Sequence, residues 1–400
     1  MKILCVFGEH NYGDPARGHG YEYSNFLPAL RNLGHEVDLF DSFSRSRYTN
    51  FAALNRALLK KVDDFRPDLV FCVLMGYEIW LETFALIRKS GIRLLNWGTD
   101  DSWKYEQFSR HVAFAFDVWV TTSFQALQKA QRDGLNPFML SQWAARGDSL
   151  REPLPASACR YPVSFVGSAY GNRSRWIAEL AASGIEVACF GHGWPAGPVA
   201  AQDIPRIVRE SVVSLNFADS GLHFQGLRPY RSRQIKARVF EVPGAGGCLL
   251  TEATEYLDHY YKLDSEIEMF QDIGDLARKI RHLLEYLDYR DTMAQAGYRR
   301  TLAWHTYEQR FNEVLQCLPQ PQQVVSIDFA SFETTAARHR LNAASRVLRS
   351  LLILPFQLIW GQRRGARAAR RLFFELSWRF AGKSTYTAAG WLGRWFYNES

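Results

Sequence analysis

The sequence predicts an α/β protein of two domains built on parallel sheets, followed by a helical extension that is basic and aromatic. Three observations predict it. Short aliphatic runs alternate with helical segments over most of the chain, the alternation lapses once near residue 150, and the charge changes sign near residue 336. Strands that alternate with helices form parallel sheets, because each crossover lays a helix on a sheet face.

In the first domain, residues 1–146, the candidate strands are Lys2–Phe7, Glu36–Phe40, Leu69–Leu74, Arg93–Trp97, Val118–Thr121 and Phe138–Ser141. The run LVFCVL at 69–74 has no polar alternation, as a strand buried on both faces requires. The first crossover helix places Phe26, Leu27, Leu30 and Leu33 at helical spacing and stops at Gly34. Pro28 is tolerated there if Ser24 or Asn25 caps the helix. Residues 147–160 lose periodicity around two prolines and form a linker. The second domain, residues 161–318, repeats the alternation with Val163–Val166, Glu186–Phe190, Val212–Asn216, Cys248–Thr251 and Glu268–Phe270, then becomes wholly helical from Asp275. Residues 319–336 form a second linker before the tail, 337–400. Two such domains leave a central cleft between the C-terminal edges of their sheets, where ligands of open α/β sheets bind.

An apolar share of 47% with 22% charged residues excludes a disordered or membrane-embedded chain. The tail holds 12 Lys+Arg against 2 Asp+Glu, so the net +7 resides there and the body is mildly acidic. Six scattered cysteines without a CxxC pair, and no histidine cluster at zinc spacing, predict a reducing compartment and no metal. MKILCVFGEH is too short an apolar run for a secretory signal, which predicts a cytoplasmic protein.

The chemistry gathers in three stretches. After the first strand, four glycines in thirteen residues, with Gly18, His19 and Gly20 before a helix, suit close approach to a phosphate or serve as a flexible connection. The second domain opens with Gly167 and Ser168, then Arg173 at a helix start, a pattern suited to a pyrophosphate; His192 follows in FGHGW. The third stretch, KARVFEVPGAGGCLLTE, supplies Lys236 and Arg238 as charge-assisted donors and Glu241 as an acceptor for a ribose diol. Gly244, Gly246 and Gly247 let the chain turn tightly beside a bulky ligand.

That stretch resembles the donor-binding core of glycosyltransferases with the GT-B fold, nearest the CgeB-like (spore maturation) branch of the group 1 enzymes. VSFVGS with FGHGW, the closing helices ending in His305-Thr306-Tyr307 with Arg310, and NWGTDDSW resemble the same branch. The resemblance covers residues 1–318 and implies two Rossmann-like domains facing the cleft. It implies a nucleotide-sugar co-substrate held by the second domain, without metal or other cofactor: Glu241 on the ribose, Lys236 or Arg238 on the diphosphate. The first domain would take a glycan, glycolipid or protein acceptor. Related retaining enzymes often carry a glutamate eight positions before this one; here that position is Arg233.

Glycosyl transfer needs a group to take the acceptor's proton. Asp100 and Asp101, after the fourth strand, and His19 are the candidates, while either aspartate could instead cap the next helix. His305, among aromatics, is expected to make a structural hydrogen bond. A scaffold that binds nucleotide sugar without turnover, or a sugar-nucleotide epimerase or hydrolase, would fit the same fold.

The tail combines LLILPFQLIW, too short to span a bilayer, with flanking arginines. Leu354, Phe356, Trp360, Phe373 and Trp378 with Arg363, Arg364 and Arg370 suit an interfacial anchor on anionic lipid at the inner face of the membrane. The alternative is a helical subdomain that packs on the enzyme or forms an oligomer. Nucleic acid is not expected, since no recognised module organises these residues.

Overall fold

The computed structural model describes residues 1–225 and 228–396, so the last four residues of the tail lie outside the described residues. The chain divides into two compact units, Met1–Ser141 with Val314–Ser400, and Gln142–Glu313.

The first unit is built on β1 (Lys2–Phe7), β2 (Glu36–Asp41), β3 (Leu69–Cys72), β4 (Arg93–Gly98), β5 (Val118–Thr121) and β6 (Phe138–Leu140), all parallel, in the order β2-β1-β3-β4-β5-β6. The order reverses at β1, which makes the loop after β1 the topological switch point of this sheet. The crossover helix begins earlier than expected, at Tyr21 behind Gly20, so Pro28 stands inside it rather than in its first turn.

The second unit contains β7 (Tyr161–Val166), β8 (Ala188–Phe190), β9 (Ser211–Asn216), β10 (Asp219–Gln225), β11 (Arg228–Arg233), β12 (Leu249–Glu252) and β13 (Glu268–Phe270). Five of these form a parallel sheet, β13-β12-β9-β7-β8, which reverses at β7. The antiparallel pair β10–β11 follows β9 and was not foreseen. Arg290, fully buried, ties the base of this unit together: it donates to the carbonyls of Val212 (2.7 Å), Ser211 (2.8 Å) and Leu154 (2.8 Å).

Neither predicted linker is a free connection. Residues 147–160 are stitched to the second unit: beside the Arg290 bond, Asp291 accepts from the Ala156 amide at 3.0 Å and Arg209 donates to the Glu152 carbonyl at 2.7 Å. Residues 319–336 are stitched to the first. The Val325 amide bonds Ser90 O at 3.0 Å, the Ile327 amide bonds Asp63 at 3.1 Å, and the helix Phe329–Arg338 buries Phe332 and Ala336 in the first unit's core. Backbone groups need partners when buried, and aperiodic sequence does not reveal which will be.

The tail has two fates. The helix Ala343–Ala381 breaks at Gly361 (φ 75°, ψ 165°), and the chain doubles back so that Gly365 lies against the Phe356 carbonyl. Beyond the break the chain enters the core: Tyr386 is 1% exposed among Tyr77, Phe108 and Phe374. Tyr77 Oη donates to the Gly390 carbonyl at 2.9 Å, and the Ala388 amide donates to Glu82 at 2.9 Å. Before the break, Val347, Leu348, Leu351, Leu354, Leu358, Ile359 and Trp360 are exposed. The segment Ala343–Tyr386 is long and apolar enough to cross a membrane by length and composition, with a best window of mean hydropathy 1.2, none of it buried.

Tyr386→Ala should therefore lower stability by about 3–5 kcal/mol. Leu358→Ala, on the exposed arm, should change it by less than about 0.5 kcal/mol. Urea denaturation of the two variants checks both.

Candidate active site

At the C-terminal end of the second sheet, strand β7 runs into Gly167 and Ser168, and β8 runs into Gly191–Gly193. These two loops bond to each other: the Gly167 amide to Phe190 O (2.8 Å), the Ala169 amide to His192 O (2.8 Å), and Trp194 Nε1 to Gly167 O (2.7 Å). The Gly167 amide, expected to approach a phosphate, is thus used inside the protein. His192 itself is exposed, and Ser168 gives its carbonyl to Arg173 at 2.9 Å.

Arg173 is a correction. It is 6% exposed, donates also to Tyr170 Oη (3.0 Å) and Phe217 O (3.3 Å), and lies 3.9 Å from the centre of the Tyr170 ring. Burial pulls its pKa below the usual arginine value. Its Nη1 and Nη2 are engaged beneath the loop by Ser168, Tyr170 and Phe217. The three glycines are a second correction, because all are buried against protein. A Cβ on Gly244 would meet Ala145 at 2.6 Å, on Gly246 (φ 83°) the Arg151 carbonyl at 2.6 Å, and on Gly247 the Val208 carbonyl at 2.8 Å. Their small size admits the 147–160 segment and the neighbouring helix rather than a ligand.

Arg238 and Glu241 come together at this edge, and Lys236, half-buried, precedes Arg238 by two residues. The helix Arg238–Gly244 carries Arg238 ion-paired to Glu241, with Arg238 Nε donating to Val166 O, the last residue of β7, at 3.3 Å. Glu241 keeps 20% of its side chain exposed. Three residues that sequence reasoning missed frame them. Glu252, at the end of β12 and 1% exposed, accepts from the Ala218 (2.8 Å) and Asp219 (3.2 Å) amides and pairs with Arg233 at 3.1 Å. Asp219 pairs with Arg231 at 2.6 Å. The signal available was a carboxylate directly after the buried run LLT.

In the first unit, Asp101 is a further correction. Rather than emerging at the edge it is 3% exposed, accepting from the Ser109 hydroxyl and from Trp119 Nε1 at 3.1 Å. Burial pushes its carboxyl above the usual range, and these bonds pull it partly back. Asp100 stays at the edge, a quarter exposed, 3.2 Å from Lys104, and makes no side-chain cap. Beside it stands Glu22, in the first turn of the Tyr21–Asn32 helix; burial first, then the Asp100 charge, raises its carboxyl above the ordinary value. Sequence reasoning passed over Glu22, although it follows the glycine loop directly. Gly20 faces the Gly8 carbonyl, whereas Gly18 (φ 74°) borders open space. His19 stacks between His10 (5.1 Å) and Tyr23 (4.7 Å).

His305 makes the structural bond expected of it. Its Nδ1 accepts from Arg310 Nη2 at 2.9 Å, leaving Nε2–H to donate to the Tyr260 carbonyl at 2.8 Å. Among the tail residues, Leu354, Trp360, Arg363 and Arg364 are exposed. Phe373 stacks on Phe396 at 4.0 Å, Phe356 lies against Phe373, Arg370 is half-buried, and Trp378 bonds Glu375 at 3.0 Å near His111. Phe373 and Trp378 thus serve intramolecular packing.

Two reversing parallel sheets, the second with a cation–carboxylate segment at its C-terminal edge, define the GT-B class of fold. Residues 173–316 match a family described as glycosyl transferase-like. No curated protein matches the chain. Solved structures similar to it include sucrose-phosphate synthase from Thermosynechococcus elongatus, 14% identical with a TM-score of 0.55 over 79% of this chain and 98% of that one. Anabaena HepE in complex with UDP-glucose is 13% identical, TM-score 0.53, over 80% and 100%. The lipopolysaccharide outer core galactosyltransferase WaaB, in its apo form, is 12% identical, TM-score 0.51, over 79% and 99%. The chain has the GT-B glycosyltransferase fold.

Burial holds the His305 pKa down at about 4, against about 6.5 for an unfolded histidine. Between those values the unfolded chain binds the extra proton, so stability falls as pH drops from 6.5 towards 4, by on the order of 3 kcal/mol in all. Urea midpoints at pH 7 and pH 4.5 should show this loss, and His305→Gln should flatten it.

Proposed function

We propose that this protein transfers a sugar from a nucleoside diphosphate sugar to a hydroxyl of an envelope glycan, glycolipid or surface protein, as a CgeB-like group 1 glycosyltransferase. The observation that carries this is the Lys236–Arg238–Glu241 segment, anchored to the end of β7 with Glu241 still open to solvent. Glu241 accepts from the ribose hydroxyls, and Lys236 with Arg238 holds the diphosphate. As the bond from the anomeric carbon to the diphosphate breaks, these cations stabilise the departing charge, so that step needs no metal. On the acceptor side Asp100, at the end of the β4 edge beside Glu22, takes the proton of the attacking hydroxyl.

Nucleotide sugars and free thiols both suit a reducing cytoplasm, and the six cysteines are free. The exposed arm before Gly361, with Arg363 and Arg364 just after it, docks on anionic lipid from that side. The break at Gly361 favours an interfacial arm over a spanning helix. A second class, a donor-binding scaffold without turnover, is favoured by one observation: Arg233 occupies the place of the glutamate common in retaining relatives.

A thermal-shift screen with nucleoside diphosphates and their sugars tests the donor assignment. One nucleotide family should stabilise the protein, and Glu241→Ala should weaken its binding about 10- to 100-fold, the worth of a charged hydrogen bond. Wild-type affinity in that variant would remove Glu241 from the site, and binding without transfer to any acceptor would favour the scaffold. For the tail, sedimentation with anionic vesicles should drop roughly fivefold for each of Arg363→Gln and Arg364→Gln, at about 1 kcal/mol per arginine. Equal sedimentation with neutral vesicles would remove the arginines' role, and no sedimentation with either would defeat the membrane assignment.

A further inference from the structure

We propose that Glu9, His10 and His19 bind one divalent transition-metal ion, of the zinc class, in the loop at the switch point of the first sheet. One carboxylate oxygen and one nitrogen of each imidazole lie within 4.8 Å of one another, with Glu9 and His10 half-buried and His19 exposed. Zinc bonds of about 2.0–2.1 Å would set tetrahedral ligand atoms roughly 3.3 Å apart, so side-chain rotation of about an ångström closes the site.

The backbone holds the three together without the ion. His10 and His19 face each other across an antiparallel bridge, with their rings 5.1 Å apart and 23° from parallel. The Gly20 amide bonds Glu9 O at 2.8 Å, the Asn11 amide bonds Gly18 O at 3.0 Å, and Asn11 Nδ2 bonds His19 O at 2.8 Å. Asp41, at the end of β2, receives the Glu9 amide at 3.3 Å. The loop is thus a closed clasp whose ligand side chains gather at its neck. Two imidazoles with one carboxylate select zinc, cobalt or nickel over magnesium or calcium, which prefer all-oxygen sets. Three protein ligands leave a fourth position open, as in metal sites that bind water or substrate. Sequence spacing hid the set, because Glu9 and His10 are adjacent and His19 returns nine residues later only through the bridge. A metal-bound His19 has no free lone pair on that nitrogen, so it does not act as the acceptor base.

The test uses the untagged full-length protein carrying Cys317→Ser, which removes the exposed thiol as a competing ligand. After chelation, isothermal titration with Zn²⁺ should show one equivalent bound at low-micromolar affinity or better, not displaced by millimolar Mg²⁺. Glu9→Gln should weaken binding, and His10→Ala or His19→Ala should abolish it. The metal-free His19→Ala variant should melt with the metal-free parent, since His19 is exposed. Co²⁺ in place of zinc should give d–d bands without thiolate charge transfer. No stoichiometric binding, or binding that survives in the His10→Ala/His19→Ala double variant, overturns the site. Neither readout depends on sugar transfer, so this result stands apart from the donor assignment.

Discussion

Both sheets are parallel and covered on both faces, and that constraint decides where chemistry can sit. β3, β9 and β12 are buried along their whole length, and β1, β4 and β7 along nearly all of it. A charge inside such a strand would lose its hydration with no compensation. Neutral polar groups within them bond locally: Ser211 donates to Ser164 at 2.7 Å, Asn216 to Thr251 at 2.9 Å, and Asn96 accepts from the Leu74 amide at 3.1 Å. In the strands buried along most of their length, carboxylates stand at or just past the end, as Glu252 of β12 and Asp100 after β4, whereas the edge strand β2 carries Glu36 and Asp38 along it. Reversal of strand order at β1 and at β7 then opens a gap between diverging crossovers beside those ends.

Glu252 shows how such an end is stabilised. A carboxylate 1% exposed persists only when its oxygens are occupied, and here two amides and Arg233 occupy them. Arg233 comes from the β10–β11 hairpin, which Arg231 also ties down through Asp219. The hairpin therefore delivers two arginines to the edge that the Lys236–Arg238–Glu241 segment shares. The Arg233 charge, carried by the two-stranded pair, is balanced by Glu252 of the five-stranded sheet.

The strands and their order of appearance were legible because buried parallel strands leave unbroken aliphatic runs such as LVFCVL. The β10–β11 pair was not, because RPYRSR alternates charge with small or aromatic residues and lacks a buried face to betray it. Lys236, Arg238 and Glu241 were legible as a charged cluster leading into a strand. Arg173 and Gly244, Gly246 and Gly247 misled for a shared reason: an arginine at a helix start, or a run of glycines, serves tight packing as well as it serves a phosphate. Asp100 and Asp101 are adjacent in sequence, and only the π turn at Tyr105–Ser109, which brings Ser109 onto Asp101, decides which of the two is buried.

The tail poses the same choice between packing and function, and it resolves by position. Past Gly361, aromatic residues meet aromatic residues of the first unit: Phe374 and Tyr386 on Tyr77, and His111 beside Trp378 and Tyr386. Before Gly361, Phe356 meets Phe373, while Val347, Leu348, Leu351, Leu354, Leu358, Ile359 and Trp360 stay exposed. A patch of that kind on a helix tends to be covered by something. The two halves are one covalent segment, so removing the tail would strip Tyr386 and Ala388 from the core along with the exposed arm. Loss of activity on truncation would then report unfolding as readily as detachment. Substitutions confined to the exposed arm and Arg363–Arg364 separate the two, because nothing in the core depends on them.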